Sequence, residues 1–251
     1  NLMTVRLADR IGMEKISNTI KDFGIEKGFN QQLSMSLGSG VVSLIDLTNA
    51  YAIIANGGIK LKPKIIKSIY SKNGKIIFST NTKECKNCKL LNIQKKNKIP
   101  EVFKNNKIII DPKIAYQITS MMEGVIKRGT ARKLKDLNVP IAGKTGTTND
   151  NKDAWFIGFT PDLVIGVFVG YDNPKSLGYK QTGSSVAVPI FKKFAKKINL
   201  NSLKIPFRVP SGISFVRINQ NTGLPSSDAK SILEPYILGT EPYNNKISVI
   251  D

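Results

Sequence analysis

Lys144-Thr145-Gly146-Thr147 sets a cation between hydroxyl-bearing residues and a residue with no side chain. A lysine whose pKa is depressed by burial or by a neighbouring cation can take a proton from a serine; one that stays charged can hold a carboxylate. The threonines add donors and acceptors for the same anion. Histidine is absent from all 251 residues. That excludes Ser-His-Asp or Cys-His catalysis within the chain and removes the commonest zinc ligand. Serine chemistry here must pass its proton to a lysine or a carboxylate.

The elements that position this stretch are legible around it. Ile141 to Thr148, Asp153 to Phe159 and Leu163 to Tyr171 are rich in β-branched and aromatic residues and bounded by Gly, Pro and Asp. They predict three successive antiparallel strands, with Lys144 on the first. Gly146 removes a side chain where another backbone approaches. The expected result is an edge strand, charged and hydroxylated, able to pair with an extended peptide by strand addition.

Lys-Thr-Gly alone recurs by chance, but the run GKTGTTNDNKDAW (143–155) is far more specific. It resembles the transpeptidase domain of class A penicillin-binding proteins of the 1A type, where this element works with S-x-x-K and S-x-N motifs. LGSGVVSLIDLTNAYAIIANGG (37–58), MMEGVIKRGTARKL (121–134) and VAVPIFKKFAKK (186–197) extend the likeness along most of the chain. The resemblance implies an α+β fold of the penicillin-binding and β-lactamase-like kind, an antiparallel sheet flanked by helices. It implies an acyl-serine mechanism on the D-Ala-D-Ala end of peptidoglycan stem peptides, β-lactam binding and no cofactor or metal. Lys144 would hold the substrate carboxylate and help the proton relay, with Thr145 and Thr147 offering hydroxyls. Gly146 would keep the strand clear, and the Thr147 N–H would serve the oxyanion hole. Asn1 would be the Asn of S-x-N. The nucleophilic serine, its lysine and the second-motif serine have no counterpart here.

The chain therefore reads as a C-terminal part of a longer protein, its first strands and nucleophile helix missing, inactive alone and with an apolar face uncovered. The implied parent carries a glycosyltransferase domain and an N-terminal anchor, and works on the periplasmic face of the bacterial inner membrane. Residues 1–200 are expected to be transpeptidase, with a basic insertion at 59–110, and 201–251 a Pro/Gly-rich extension with one short strand. A D-Ala-D-Ala carboxypeptidase, using water as acceptor, is a second reading. A non-catalytic β-lactam sensor or scaffold is a third, and a basic nucleic-acid or wall-polymer binding module a fourth.

Composition bounds these readings. Hydrophobic content of 41% suits one folded core, and no apolar run reaches the ~18–20 residues that span a bilayer. The net charge is +20. Between Lys60 and Lys107 lie 14 lysines against Glu84 and Glu101, a net +12. A solvated basic face, contact with anionic lipid or wall polymer, and nucleic acid are the alternatives; little aromatic interleaving and no nucleic-acid motif speak against the last.

Apolar spacing predicts two short helices over 1–23, broken near Gly12. Ser43-Leu44-Ile45-Asp46 predicts a capped helix with Leu44, Leu47, Tyr51 and Ile54 inward. Asn73-Gly74 predicts a hairpin, which makes Ser71-Lys72-Asn73 a turn and not a catalytic S-x-N. Asp111-Pro112 predicts the start of a helix with Ile114, Ile118, Met121, Met122 and Val125 on its buried face. A further helix over 185–198 is expected to bury Val188, Phe191, Phe194, Ala195 and Ile198. Ser227-Asp228-Ala229-Lys230 matches S-x-x-K but falls in a predicted loop after the lysine strand. Cys85 and Cys88 fit a local disulfide, free thiols, or a metal or redox site.

Overall fold

The structure, a computed structural model, describes residues 1–80, 84–86, 101–103, 107–198, 200 and 204–243. The chain opens with α1 (Leu2–Ile11) and α2 (Met13–Asp22). Gly12, at φ 90°, turns the chain between them, a conformation open to glycine. A short 3-10 helix, Leu33–Leu37, packs against α1. Leu2, Met3 and Leu7 of α1 remain exposed.

Helix α3 (Leu44–Ala55) starts at Ser43, whose hydroxyl accepts the Asp46 N–H at 3.1 Å and donates to the Asp46 carboxylate at 2.6 Å. One orphan donor of the first turn is thereby satisfied. Ala50 and Ile53 are its buried residues, and Leu44 is exposed. The helix is apolar nearly all round, so spacing alone could not choose its inner face.

Strands β1 (Ser68–Tyr70) and β2 (Ile76–Ser79) form the expected hairpin. Gly74 has φ 75°, and the Ser71 N–H donates to the Lys75 carbonyl at 2.8 Å. Ser71-Lys72-Asn73 is therefore a turn. A second pair, β3 (Glu84–Lys86) and β4 (Glu101–Phe103), is antiparallel. Cys85 lies on β3, and Cys88 lies outside the described residues.

Helix α4 (Pro112–Lys127) is capped by Asp111, whose carboxylate accepts the Lys113 N–H at 2.7 Å. Its buried face differs from expectation. Ala115, Thr119, Met122, Gly124 and Ile126 are buried, whereas Met121 is 65% exposed and Ile114 is exposed too. Small residues make up part of the buried face, and a search for large apolar side chains passes over them.

Three antiparallel strands follow in the order β5 (Ala142–Thr147), β6 (Ala154–Phe159), β7 (Val164–Val169). Helices α3 and α4 pack on one face, with Met122, Ala142 and Phe159 buried between them. On the other face lie the 3-10 helix Arg132–Leu137, a π-helical turn Gly183–Ala187, and α5 (Val188–Lys197). Leu134, Leu137, Phe156, Val188 and Phe191 form that core. Phe156 and Phe191 meet edge to face, centroids 4.9 Å apart. Phe194 and Ile198 are exposed, against expectation; the buried stripe runs through Val188, Phe191 and Ala195 alone. The room for the Phe156 and Phe191 rings comes from Gly143 and Gly158, directly opposite each other. A Cβ at Gly158 would lie 2.7 Å from the Phe191 ring, and one at Gly143 would lie 2.8 Å from the Phe156 ring.

The C-terminal part holds two strands where the sequence predicts one. β8 (Ile213–Ile218) pairs with β9 (Ile232–Ile237), and β9 packs on α4. Pro235 disguised β9, since proline in a run argues against a strand. Here the Pro235 carbonyl accepts the Gln117 side-chain amide at 3.1 Å.

Two outcomes follow for stability. Phe191→Ala is expected to cost about 3–5 kcal/mol in urea unfolding, because Phe191 is fully buried. The Asp136 carboxyl is held below its usual range by the hydrogen bond from Lys192, 2.7 Å away. A depressed folded pKa contributes stability above the unfolded value of about 4, lost as pH falls through the folded one. Melting curves of Asp136→Asn from pH 7 down to pH 2.5 should accordingly fall less steeply below pH 4 than those of the parent chain.

Candidate active site

Lys144 stands on β5, which has a single strand neighbour, β6, among the described residues. Its ammonium folds back onto the Thr145 carbonyl at 2.7 Å. No carboxylate pairs with it among the described residues. The side chain is exposed. This is a cation at an open strand edge with room for an external anion.

Strand alternation separates the four residues. Lys144 and Gly146 share the face with their cross-strand partners Ile157 and Trp155. Thr145 and Thr147 point to the opposite face, toward the π-helical turn. There the Thr145 hydroxyl bonds the Thr130 hydroxyl at 2.7 Å, and the Thr147 hydroxyl accepts the Gly183 N–H at 3.0 Å. The Ser184 hydroxyl donates to the Thr130 carbonyl at 2.5 Å. Each threonine hydroxyl still has capacity to spare, having one donor and two acceptor positions.

The close approach at Gly146 has a specific cause. A Cβ on Gly183 would lie 2.4 Å from the Trp155 carbonyl and 2.6 Å from the Gly146 carbonyl. The turn therefore lies backbone to backbone against β5 and β6. Thr182 caps it reciprocally with Ser185, so the chain enters the turn in a fixed direction. A Cβ on Gly146 itself would lie 3.1 Å from Trp155 Cβ, tighter than ordinary contact.

Asp153 and Trp155 serve the hairpin and the sheet. The Asp153 N–H donates to Thr148 Oγ1 at 2.8 Å, and the Trp155 ring lies on Phe168, centroids 4.5 Å apart. Asp150 and Asn151 hold left-handed conformations in the connection between the strands. Asn1 caps α1 by its carbonyl only, which accepts the Val5 N–H at 3.0 Å. Among the described residues no hydrogen bond joins Asn1 to Lys144. Ser227 is exposed on a turn, with Lys230 on the same turn and no helix to align them.

Thr130, Gly183 and Ser184 are the site neighbours that sequence reading missed. Thr130 follows the predicted helix stop at Gly129, and Gly183-Ser184-Ser185 is a run of small residues before a helix; both were visible signals with no partner attached. Two clefts, of about 370 and 410 Å³, are lined by Glu123 to Ile141 and by α3 with residues 61–64 respectively, and Lys144 lines neither. The candidate site lies along a strand edge. Among the described residues no group of three or more His, Cys, Asp or Glu converges.

An antiparallel sheet whose outer strand bears Lys-Thr-Gly, packed between helices on both faces, defines the penicillin-binding and β-lactamase-like class of fold. Residues 1–196 match the penicillin-binding protein transpeptidase domain, and the chain belongs to that family. It is 46% identical over 224 residues to penicillin-binding protein 1A of Rickettsia typhi, covering 89% of this chain and 28% of that protein. It is 33% identical over 244 residues to penicillin-binding protein 1A of Aquifex aeolicus, covering 97% of this chain and 30% of that one. The crystal structure of penicillin-binding protein 1A from Haemophilus influenzae matches with a TM-score of 0.83 at 26% identity, over 98% of this chain and 40% of that chain. The PonA1 protein from Mycobacterium tuberculosis, solved in complex with penicillin V, shares the fold at a TM-score of 0.55 and 23% identity, over 76% of this chain and 50% of that one. The chain thus spans less than a third of the length of these curated relatives.

Gly183→Ala tests the backbone contact beneath the site. Its Cβ has no room, so the turn must shift, at an expected cost of about 1–3 kcal/mol by urea unfolding. Thr130→Val, which removes the hydroxyl bonded to Thr145, is expected to cost about 1 kcal/mol. Equal stability of Gly183→Ala and the parent chain would show that the contact is looser than the geometry indicates.

Proposed function

We propose that this chain supplies the lysine-bearing half of a serine-type D,D-transpeptidase that cross-links peptidoglycan and is acylated by penicillin. The observation that carries the reading is Lys144, a cation that among the described residues has no carboxylate partner and stands on a strand with one neighbour, within a chain of the transpeptidase family. A donor stem peptide ending in D-Ala-D-Ala would add to β5 as a further strand, and its terminal carboxylate would meet the Lys144 ammonium.

The chemistry then runs as acyl transfer. A serine hydroxyl attacks the penultimate D-Ala carbonyl and gives up its proton; the tetrahedral oxyanion collapses and the terminal D-Ala leaves as an amine carrying a proton. An amine of a second stem peptide attacks the ester, loses a proton, forms the cross-linking amide and frees the serine. In this reading the Thr147 N–H is one oxyanion donor, a contribution worth about 10²–10³ in rate where it has been removed elsewhere. Lys144 holds the carboxylate and the relay, Thr145 and Thr147 orient it, and Asn1 lies beside the second-motif serine. The nucleophile is assigned to a serine other than Ser227, whose turn offers no aligned lysine. Residues 201–251 extend the 1–200 unit through the hairpin on α4. The periplasmic face of the inner membrane, with a membrane anchor and a glycosyltransferase domain elsewhere in the whole protein, completes the proposal. Among the described residues no helix is long and apolar enough to cross a membrane.

Fluorescent penicillin and intact mass provide the test. A polypeptide carrying residues 1–251 together with a serine–lysine motif is expected to gain one adduct per chain, with Lys144→Ala slowing acylation about 100-fold or more. The 251-residue chain alone is expected to gain none. A stoichiometric adduct on Ser227 would overturn the assignment. Release of D-Ala without cross-linked product, given an acceptor amine, would place the protein among carboxypeptidases.

A further inference from the structure

The hairpin β1–β2 takes no part in the strand-edge site, yet its composition is not that of an idle surface loop. Ile65 is 92% exposed, Ile77 67% and Tyr70 60%. Ile69 and Phe78 are cross-strand partners and share one face, while Ile77, next along β2, points to the other. Both faces of the hairpin are therefore apolar and both meet solvent. Water is a poor environment for such a ribbon, and a core would use only one face.

The charge around it has one sign. Residues 60–80 hold six lysines and no acidic residue; Asp46 and Glu84 are the nearest carboxylates in sequence. None of the six forms an ion pair among the described residues. Lys72 and Lys75 flank the tip, and the Lys64 ammonium bonds the Thr80 carbonyl at the base at 2.6 Å.

Nucleic acid would engage the lysines and leave the isoleucines in water. An apolar protein groove would bury the isoleucines and desolvate the lysines. The head-group boundary of an anionic bilayer accepts both at once: aliphatic side chains reach the acyl region, a tyrosine sits at the interface, and lysines extend to the phosphates. We infer that residues 64–80 form an interfacial wedge that inserts into the surface of a membrane rich in anionic phospholipid. This is a binding surface separate from the strand-edge site, and it stands whether or not the acyl-transfer reading holds.

Co-sedimentation of the 251-residue chain with vesicles tests it. Binding is expected to vesicles of mixed phosphatidylglycerol and phosphatidylcholine, to be weak to phosphatidylcholine alone, and to fall as salt rises. Replacing Lys72 and Lys75 by Gln should weaken partitioning about 5-fold for each lysine. Ile77→Ser, at an exposed position that leaves the core untouched, should weaken it about 10-fold, a loss that purely electrostatic adsorption would not show. Tyr70→Trp should add an indole signal that shifts to the blue on anionic vesicles and is quenched by brominated acyl chains, above the background of Trp155. Unchanged binding of Ile77→Ser, no binding to anionic vesicles, or displacement of the chain from vesicles by a short DNA duplex at equal phosphate would each overturn the proposal.

Discussion

Phe191 can sit on the central sheet only because Gly158 beneath it has no side chain, and the Phe156 ring it meets lies against Gly143, the cross-strand partner of Gly158. That one fit has wide reach. It brings α5 onto the sheet, closes the Phe156 edge-to-face contact, and fixes where the π-helical turn before α5 must run. The turn in turn lies against Gly146 and Trp155 with no side chain between, and it delivers the Gly183 N–H to the Thr147 hydroxyl. Interiors are packed like crystals and not like oil, so a displacement at Phe191 is carried to the strand edge with little loss.

The chemistry at that edge is built by subtraction as much as by addition. Glycines at 143, 146 and 183 clear backbone, while the threonine hydroxyls are held by Thr130 and Gly183 on one face. Among the described residues Lys144 has no carboxylate partner and rests on a carbonyl of its own strand. A preorganised dipole or cation aimed at a place where negative charge will arrive loses little to reorganisation when it does. The chain belongs to the transpeptidase family, and the resemblance first noted in GKTGTTNDNKDAW extends through the match over residues 1–196.

Much of this was legible in the sequence because it rests on local rules. The Ser43 and Asp111 caps, the Asn73-Gly74 hairpin and the three antiparallel strands each have a mechanism that acts within a few residues. What escaped depended on neighbours distant in the chain. Met121 looked like core, yet the buried positions of α4 are Ala115, Thr119, Met122, Gly124 and Ile126. Phe194 and Ile198 fit the helical period but face outward, since only the stripe through Phe191 has glycines to receive it. β9 was hidden by Pro235. The pairing of Thr130 with Thr145 spans fifteen residues and a helix stop, and neither residue type announces its partner. Within the candidate site, the lysine and threonines were readable as a motif, but their division between two faces follows only from the register of β5 on β6.

Arg128, at the end of α4, is held by Glu234 of β9. Two residues beyond it lies Thr130, the partner of Thr145. In order of synthesis, Glu234 leaves the ribosome roughly 90 residues after Thr145, an interval of about 5–20 seconds. During that time the edge strand exists without the clasp that steadies the loop beside it, and an unpaired edge is a template for the wrong strand. The late hairpin thus acts as a latch in time as well as in space: the newborn chain's most pairable strand acquires its permanent surroundings only when almost all of these 251 residues have been made.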